Sequence, residues 1–365
     1  MSPAPRGAAP QRILIIKPSS LGDIVHALPV LAGLRDAYPD AHLAWLVTTA
    51  FAPLLHGHPL LDEIITFDRR QYGRMLQSWR SLVDFLRFLR DLRCRRFDLV
   101  LDLQGLFRSG FLARATGAAT RVGFRDAREL AAMFYTRRVR VPPSCGPQRN
   151  DHAVDRNLHL ARELGLPVDP PLFPLGVRPE ELDAARRLLA RIAGASVESF
   201  TAVLPGARWN TKRWRVDRFA ELCDRLHAQG LPRCVLLGSP EERTYSDALV
   251  SAARAPVIDL VGRTSLRECT ALLTLASLVI CNDSGPMHIA AALRRPVVAI
   301  FGPTNAARTG PYGETAHVVS LPLPCSPCYR RRCPLGHHDC MQKLETAVVW
   351  KAVATVLAKS SSPCR

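Results

Sequence analysis

Short apolar runs that end in a polar loop and lead into a helical pattern recur along this chain. The first run, Arg12–Pro18, leads into the loop 19–23, and apolar residues at helical spacing follow it. A strand, a loop and a helix in this order are the unit of a parallel α/β sheet. In the first half the pattern predicts three further strands and one long helix, namely His42–Val47, Ile64–Phe67, Asp98–Leu103 and the helix Trp79–Leu92.

A proline-rich stretch, Pro167–Pro179, interrupts this pattern and cannot form a regular element. A helix is predicted at Glu180–Ile192, and the pattern then resumes. It predicts strands at Thr201–Leu204, Cys234–Leu237, Leu278–Cys281 and Val297–Phe301. At about 150 residues per domain, this length suits two domains. The predicted segments are a disordered tail at 1–10, an N-terminal domain at 11–170, a linker at 171–180, a C-terminal domain at 181–345 and a C-terminal helix and tail at 346–365.

The charge balance limits the classes of partner. The 49 Lys and Arg exceed the 32 Asp and Glu by 17, which favours a nucleic acid, an anionic membrane surface or a phosphorylated substrate. Codon bias toward arginine is the alternative explanation of the same excess. No helix-turn-helix, RRM pattern or paired zinc finger supports nucleic-acid binding. The chain lacks GxxxxGK[ST], and no GxGxxG follows a strand, which argues against P-loop enzymes and dinucleotide-dependent dehydrogenases.

The apolar and cysteine patterns indicate a cytoplasmic protein. No apolar run approaches the roughly 20 residues that span a bilayer, and the first residues lack a secretory apolar region. The 11 cysteines are then reduced thiols or metal ligands. The segment Arg69–Arg96 carries nine Arg among Trp79, Phe85 and Phe88. It is either a helix at an anionic membrane surface or a covering helix with a solvated arginine face.

The segment 281–288 has the composition of an anion site. Asp283 or Ser284 can cap a helix that has Pro286 in its first turn, and free backbone N–H groups at such a turn attract an anion. His288 lies one turn further on. It faces a ligand or, in an ordinary capped helix, the solvent.

Two more loops after predicted strands carry charged residues. In the loop 205–214, Arg208 and Lys212 follow a glycine turn and suit a pyrophosphate. In the loop 17–23, Gly22 allows a close approach and Asp23 is a lone carboxylate. Asp23 is either the N-cap of the next helix or a general base that faces an interdomain cleft.

Several motifs together resemble one family. KPSSLGDIVHALPVL, DLQGLFRSG, HAVDRN, KRW, NDSGPMHIAAAL and GPTN resemble glycosyltransferase family 9, the bacterial heptosyltransferases, in the family's order from about Arg12 to Trp350. The N-terminal half is most similar to the heptosyltransferase I type. The resemblance implies a GT-B fold, in which two Rossmann-like α/β domains face each other across a cleft. It also implies an ADP-heptose donor on the C-terminal domain, an anionic Kdo-lipid A acceptor on the N-terminal domain, and no cofactor.

The resemblance further implies inverting transfer by an enzyme at the inner face of the inner membrane, with peripheral membrane contact and no nucleic-acid partner. The residues that match the family's positions have three roles. Asp23 is the catalytic base; Lys212, Arg208, Glu242 (or its neighbour Glu241), Asp283, Ser284, Gly285 and His288 bind the donor; Ser20, Gly22 and Arg128 bind the acceptor. Arg208 stands where founding members have a hydroxyl residue, so it or the loop backbone must bind the phosphate.

A cysteine-rich segment near the C-terminus leaves two questions open. Cys325, Cys328, Cys333 and Cys340 have C-x2-C-x4-C-x6-C spacing, with two histidines nearby. They either hold a structural zinc ion or are reduced thiols in a proline-rich loop. The segment is more similar to heptosyltransferase II, so that activity, or another family 9 transfer, is the alternative within the family. A nucleotide-binding module without turnover is the alternative outside it.

Overall fold

The computed structural model describes residues 9–68, 78–141 and 151–361. The chain divides after Gly176 into two compact units, and each unit is built on one six-stranded parallel sheet. The strands of the first unit are β1 (Arg12–Ile16), β2 (His42–Thr48), β3 (Glu63–Phe67), β4 (Leu99–Asp102), β5 (Thr120–Phe124) and β6 (Arg137–Val139). Those of the second unit are β7 (Thr201–Leu204), β8 (Cys234–Leu236), β9 (Ile258–Asp259), β10 (Leu278–Asn282), β11 (Val297–Phe301) and β12 (Ala316–Ser320).

Helices connect the strands in both units. The first unit has α1 (Leu21–Val25), α2 (Leu28–Ala37), α3 (Ala52–Leu55), α4 (Trp79–Cys94), α5 (Phe107–Ala115) and α6 (Ala153–Glu163). The second unit has α7 (Pro179–Ala193), α8 (Val216–Ala228), α9 (Arg243–Ala252), α10 (Leu266–Leu275), α11 (Gly285–Ala292), α12 (Ala306–Thr309), α13 (Asp339–Gln342) and α14 (Thr346–Ser361). Short 3-10 turns lie at Ala131–Phe134, Asn210–Lys212 and Pro240–Glu242.

The strand order places the candidate loops together within each unit. The first sheet runs β3-β2-β1-β4-β5-β6 and the second runs β12-β11-β10-β7-β8-β9, which is the same order counted within each unit. The direction of strand connection reverses between β1 and β4 and between β7 and β10. Ligands of open parallel sheets bind at the carboxyl ends of strands beside such a reversal. The loops after these four strands are therefore the candidate ligand loops.

The core of each unit lies between its sheet and the helices that cover it. Every residue of β7, β10 and β11 is buried, as expected for parallel strands covered on both faces. Val349, Val353 and Val356 of α14 belong to the core of the second unit. The C-terminal helix is therefore part of that unit. None of the helices in the described ranges is long and apolar enough to cross a membrane.

The α/β prediction with two Rossmann-like sheets is confirmed, and the predicted strands agree within two residues at each end. Four strands, β5, β6, β9 and β12, were not predicted from the sequence. They lie at or next to a sheet edge, and residues such as Thr120, Arg137 and His317 replace the continuous apolar run of central strands. Of the predicted tail only residues 9 and 10 are described, and residues 69–77 of the basic segment and 362–365 also lie outside the described ranges.

Candidate active site

The loop after β1 holds Asp23 in a defined hydrogen-bonded position. Ser20 is the N-cap of α1 and Asp23 is the third residue of the helix. Asp23 Oδ2 accepts from the backbone N–H of Ser20 at 2.8 Å and from its hydroxyl at 2.7 Å. The N-cap interpretation of Asp23 is therefore wrong, because Ser20 occupies that position and the carboxylate binds back to it. Its side chain remains 39% exposed, and Gly22 beside it is buried.

Lys17 brings a positive charge to this carboxylate. It is buried at the end of β1, and its ammonium donates to the carbonyl of Leu103 at 2.7 Å. The same Nζ lies 3.9 Å from Asp23 Oδ1. The loops after β1 and β4 are thus joined by one buried lysine, whose positive charge lies beside the carboxylate.

A buried carboxyl organises the loop after β4. Asp102 accepts backbone N–H bonds from Gln104 and Gly105 at 2.9 and 3.1 Å, and the hydroxyl of Tyr135 donates to it at 2.6 Å. Burial raises the pKa of Asp102, and these hydrogen bonds oppose the shift. Gly123 leaves the room that the Tyr135 ring occupies, since a Cβ there would lie 2.3 Å from the ring.

Arg128 lies in the next loop along this edge. Its backbone N–H donates to the carbonyl of Gly105 at 3.0 Å, and its side chain is exposed. Asp126 pairs with Arg156 instead, at 2.6 Å, and Glu129 accepts from the N–H of Phe107 at 3.2 Å. Within the described ranges Arg128 forms no ion pair, so its guanidinium is available to a ligand.

In the second unit the loops after β7 and β10 meet through an ion pair. Lys212 Nζ lies 2.6 Å from Asp283 Oδ2, and the hydroxyl of Thr304 donates to the same oxygen at 2.6 Å. The Asp283 side chain is only 6% exposed and that of Lys212 is 18% exposed. The ammonium of Lys212 also lies 4.8 Å from the centre of the Trp209 ring. The result is a half-buried cation beside a buried carboxylate.

Asn282 fixes the ends of the lysine loop, residues 205–214. Its amide oxygen accepts from the backbone N–H of Trp214 at 3.1 Å, and its amide nitrogen donates to the carbonyl of Pro205 at 2.6 Å. Asn282 and Thr304 were not predicted as site residues from the sequence. The only available signal was their position in the segments NDSG and GPTN, because neither side chain has a distinctive chemistry of its own.

The start of α11 offers unsatisfied polar groups. Ser284 is the N-cap, Gly285 begins the helix and Pro286 lies in the first turn. The Ser284 hydroxyl is buried and makes no hydrogen bond within the described part of the chain. Its position at a helix N-terminus, together with the first-turn N–H groups, suits an anion. His288 is buried at 7% exposure, so the interpretation of a surface histidine is wrong.

Glu242, rather than Glu241, points toward the lysine loop. Glu242 Oε2 accepts from the N–H of Ser239 at 2.8 Å. A Cβ at Gly206 would lie 2.0 Å from the Glu242 carboxyl group, and one at Gly238 would lie 2.6 Å from Oε2. The two glycines thus leave the space that this carboxylate fills. Arg208, in the same loop, is exposed.

The four cysteines of the C-terminal segment gather without forming a metal centre. Cys325, Cys328, Cys333 and Cys340 line one narrow cavity with His337 and His338. Yet in the ranges 9–68, 78–141 and 151–361, no three possible ligands are placed to hold a metal ion. Burial raises the pKa of the Cys340 thiol to about 11, and the neighbouring thiols of Cys325, Cys328 and Cys333 add to the shift. The zinc interpretation therefore has no geometric support.

The same segment instead packs behind the lysine loop. His338 Nε2 donates to the carbonyl of Thr211 at 2.7 Å. The hydroxyl of Thr211 donates to the carbonyl of Arg330 at 2.9 Å. Both bonds hold the residue that precedes Lys212, so the cysteine-rich segment supports the position of the lysine.

The chain is similar to known proteins over most of its length. Residues 85–338 match the model of glycosyltransferase family 9 (heptosyltransferase). Lipopolysaccharide heptosyltransferase 1 of Pseudomonas aeruginosa is 33% identical over 328 residues, which cover 88% of this chain and 87% of that protein.

Two solved structures extend the likeness to the fold. The family 9 glycosyl transferase of Veillonella parvula superposes with a TM-score of 0.81 at 24% identity and covers 96% of this chain and 98% of its own. E. coli heptosyltransferase WaaC, solved with ADP-2-deoxy-2-fluoro heptose, superposes with a TM-score of 0.70 at 25% identity, over 96% of this chain and 100% of its own. Since the family match spans more than half of the sequence and the Pseudomonas relative nearly all of it, this chain belongs to glycosyltransferase family 9, the heptosyltransferases, and is a glycosyltransferase.

Proposed function

We propose that this enzyme transfers L-glycero-D-manno-heptose from ADP-heptose to a Kdo residue of the lipid A inner core, in lipopolysaccharide biosynthesis. The main support is one group of side chains in the second unit. Lys212, Glu242 and the buried hydroxyl of Ser284 come from three loops at the carboxyl edge of one sheet. A cation, a carboxylate and a helix N-terminus are the groups that a nucleoside diphosphate sugar requires.

In this proposal the second unit binds the donor. The ammonium of Lys212 has three donors, so it can hold Asp283 and a phosphate oxygen at once. Ser284 and the first-turn N–H groups of α11, which begins at Gly285, bind the diphosphate, and the exposed Arg208 adds a second positive charge. Asp283 accepts from the heptose hydroxyls.

Glu242 and His288 complete the proposed donor site. The Glu242 carboxylate accepts from the ribose hydroxyls, since it lies against Gly206 of the lysine loop. His288, one turn into α11, is the remaining donor-side residue. The charges of Lys212 and Arg208 stabilise the negative charge that develops on ADP as it departs.

The first unit binds the acceptor and takes its proton. A Kdo hydroxyl attacks the anomeric carbon opposite the departing phosphate, so the C–O bond to ADP breaks as the new C–O bond forms and the configuration inverts. The hydroxyl proton passes to Asp23, which can act as a weak base because the transition state is oxocarbenium-like. Ser20 and Gly22 line this position. The exposed guanidinium of Arg128 grips a Kdo carboxylate through two parallel hydrogen bonds.

In this proposal the protein works at the cytoplasmic face of the inner membrane as a peripheral protein, because its acceptor, Kdo-lipid A, is an anionic membrane lipid.

The deciding experiment measures ADP release from ADP-heptose with a panel of acceptors: deacylated Kdo-lipid A, the same acceptor already carrying one heptose, and no acceptor. Release only with the first supports the proposal. Release only with the second makes the chain a heptosyltransferase II, and binding of ADP-heptose without release from any acceptor contradicts turnover.

A further inference from the structure

Large apolar side chains are exposed at one end of the first unit. Trp79 is 76% exposed, Phe107 48%, Leu130 75% and Met133 63%. Single exposed apolar residues are ordinary, but a group on neighbouring elements marks an interaction surface. We call these four residues the apolar edge.

The α/β topology brings the apolar edge to the carboxyl ends of the strands. Trp79 is the first residue of α4, which precedes β4 and so begins near the carboxyl edge of the sheet. Phe107 begins α5 directly after the loop that follows β4. The two helices lie side by side, since Phe85 of α4 stacks on Phe111 of α5 with ring centres 6.4 Å apart. The loop after β1, with Asp23, belongs to this same edge.

The backbone holds Leu130 outward in a conformation that leucine seldom adopts. Glu129 and Leu130 have φ of 54° and 59°, a left-handed region that is uncommon for residues with a Cβ. Glu129 is tied to the N–H of Phe107 at 3.2 Å, and the Phe107 ring meets Phe134 edge-to-face at 5.2 Å. The residues beside the exposed leucine are thus held by specific contacts, and sparsely populated backbone conformations of this kind cluster at functional sites.

Exposed positive charges lie on the elements that carry these apolar side chains. Arg80, Arg108, Arg125 and Arg128 are all exposed on the same elements. The acidic residues among them are engaged, Asp126 by Arg156 and Glu129 by the start of α5. Apolar side chains that insert at the headgroup level, with arginines beside them, are the combination that binds an anionic bilayer.

We propose that the apolar edge docks on an anionic lipid bilayer and presents the acceptor loops of the first unit to the membrane surface. The proposal rests on the proposed function for one point, that the acceptor sugar is attached to a lipid. A docking surface next to Arg128 and to the loop of Asp23 keeps the lipid in the bilayer while its sugar reaches the site. The charge of the arginines selects anionic headgroups.

The test measures binding of the full chain to vesicles of phosphatidylcholine with and without about one third phosphatidylglycerol. The variant L130N/M133Q removes apolar surface, and asparagine tolerates the left-handed backbone of Leu130. Leu172, 57% exposed in the same unit, gives the matched control L172N. We expect the double variant to bind anionic vesicles at least about fivefold more weakly, while L172N binds as the parent chain does. Vesicles of phosphatidylcholine alone should bind little of any of these proteins.

Transfer rates with soluble and with vesicle-bound acceptor distinguish a failure of the membrane-docking proposal from a failure of the proposed function. With a deacylated, soluble acceptor, L130N/M133Q should turn over as fast as the parent chain, and with the acceptor in vesicles it should lose activity in parallel with binding. Equal vesicle binding by parent and double variant overturns the membrane surface, whatever the transfer assay gives. A parent chain that is dimeric by light scattering and a monomeric variant would instead make the apolar edge an interface between copies. Vesicle binding without transfer to any acceptor would overturn the proposed heptosyl transfer but still support the apolar edge as a membrane-binding surface.

Discussion

Asp283 and Lys212 depend on each other before any ligand binds. The carboxylate is 6% exposed and takes a hydrogen bond from Thr304 in addition to the ion pair. A buried carboxylate without a cation is costly. Lys212 therefore stabilises its own unit as well as a bound diphosphate, and its removal has two separable effects.

We expect Lys212→Ala to weaken ADP and ADP-heptose binding together, by roughly 1.5–3 kcal/mol for a lost charge-assisted contact. It should also lower the melting temperature, because Asp283 loses its cation. Isothermal titration and thermal unfolding on one preparation measure both effects. Arg215→Ala is the control, since Arg215 pairs with Asp217 at the surface and should leave ADP binding unchanged. An unchanged ADP affinity in Lys212→Ala would exclude the lysine from the phosphate site.

Asp23→Asn tests the base without disturbing the helix start. The asparagine oxygen can still accept from Ser20, so folding and ADP affinity should stay near those of the parent chain. Turnover should fall by about 100-fold or more, because an amide cannot take the hydroxyl proton. Steady-state rates with soluble acceptor give the answer. Nearly full activity would mean that the carboxylate serves only the hydrogen bonds to Ser20.

At the scale of elements, one buried network joins β4, β5 and the turn before β6. Asp102, Tyr135 and the space at Gly123 are interdependent. Tyr135→Phe leaves the buried carboxyl of Asp102 without one donor, so we expect a loss of about 1–3 kcal/mol in the free energy of unfolding. Tyr329→Phe, at a 42% exposed position, is the control and should cost little. Urea unfolding measures both, and equal stability of the two variants would contradict the network.

Glu181 of α7 and Arg267 of α10 form an ion pair that makes stability depend on pH. The Arg267 hydrogen bond is the main cause that lowers the pKa of Glu181 to about 2, from an ordinary value of 4.5. A depressed folded pKa contributes stability above pH 4.5 and loses it as the pH falls toward 2. After allowance for solvent screening this is worth about 1–2 kcal/mol. Glu181→Gln should flatten the fall in unfolding free energy between pH 4.5 and about 2, and a profile parallel to that of the parent chain would contradict the assignment.

The central strands and the candidate loops could be predicted from the sequence, while the contacts between loops could not. An apolar run such as Val297–Phe301 is fully buried, and its uninterrupted apolar sequence is enough to predict a strand. The bonds of Asn282 to Pro205 and Trp214 join positions 77 and 68 residues apart, so no local pattern reports them. Asp23 lies between these two cases: its loop could be predicted from the sequence, but its position in the helix could not, because that position depends on Ser20 being the N-cap.

At the scale of the molecule, the two units have the same strand order but carry different chemistry at the reversal point. The first has Lys17 and Asp23 there, and the second has Lys212 and Asp283. A lysine beside a carboxylate thus serves, in this proposal, a proton transfer in one unit and a diphosphate in the other. The donor and acceptor roles are therefore separable by unit.

Hydrogen exchange with ADP tests that division. ADP alone should slow amide exchange in the loops 205–214 and 283–288 of the second unit, where its diphosphate binds. The loop 17–23 should exchange at the same rate with and without ADP. Protection of the first unit without protection of the second would contradict the assignment of the donor. The same experiment with Lys212→Ala should lose the protection at equal ADP concentration.

The two hydrogen bonds of Asn282 have a consequence for engineering the donor specificity. One side chain of β10 closes the lysine loop at both ends, Pro205 and Trp214, so the loop enters and leaves the sheet at fixed points whatever its interior sequence. Ala207 is buried and Arg208 is proposed to bind phosphate, so positions 209 and 210 are the ones to randomise in a library while Lys212 keeps its register with Asp283. Variants that accept a different nucleotide sugar should come from those two positions, provided that Asn282 is left unchanged.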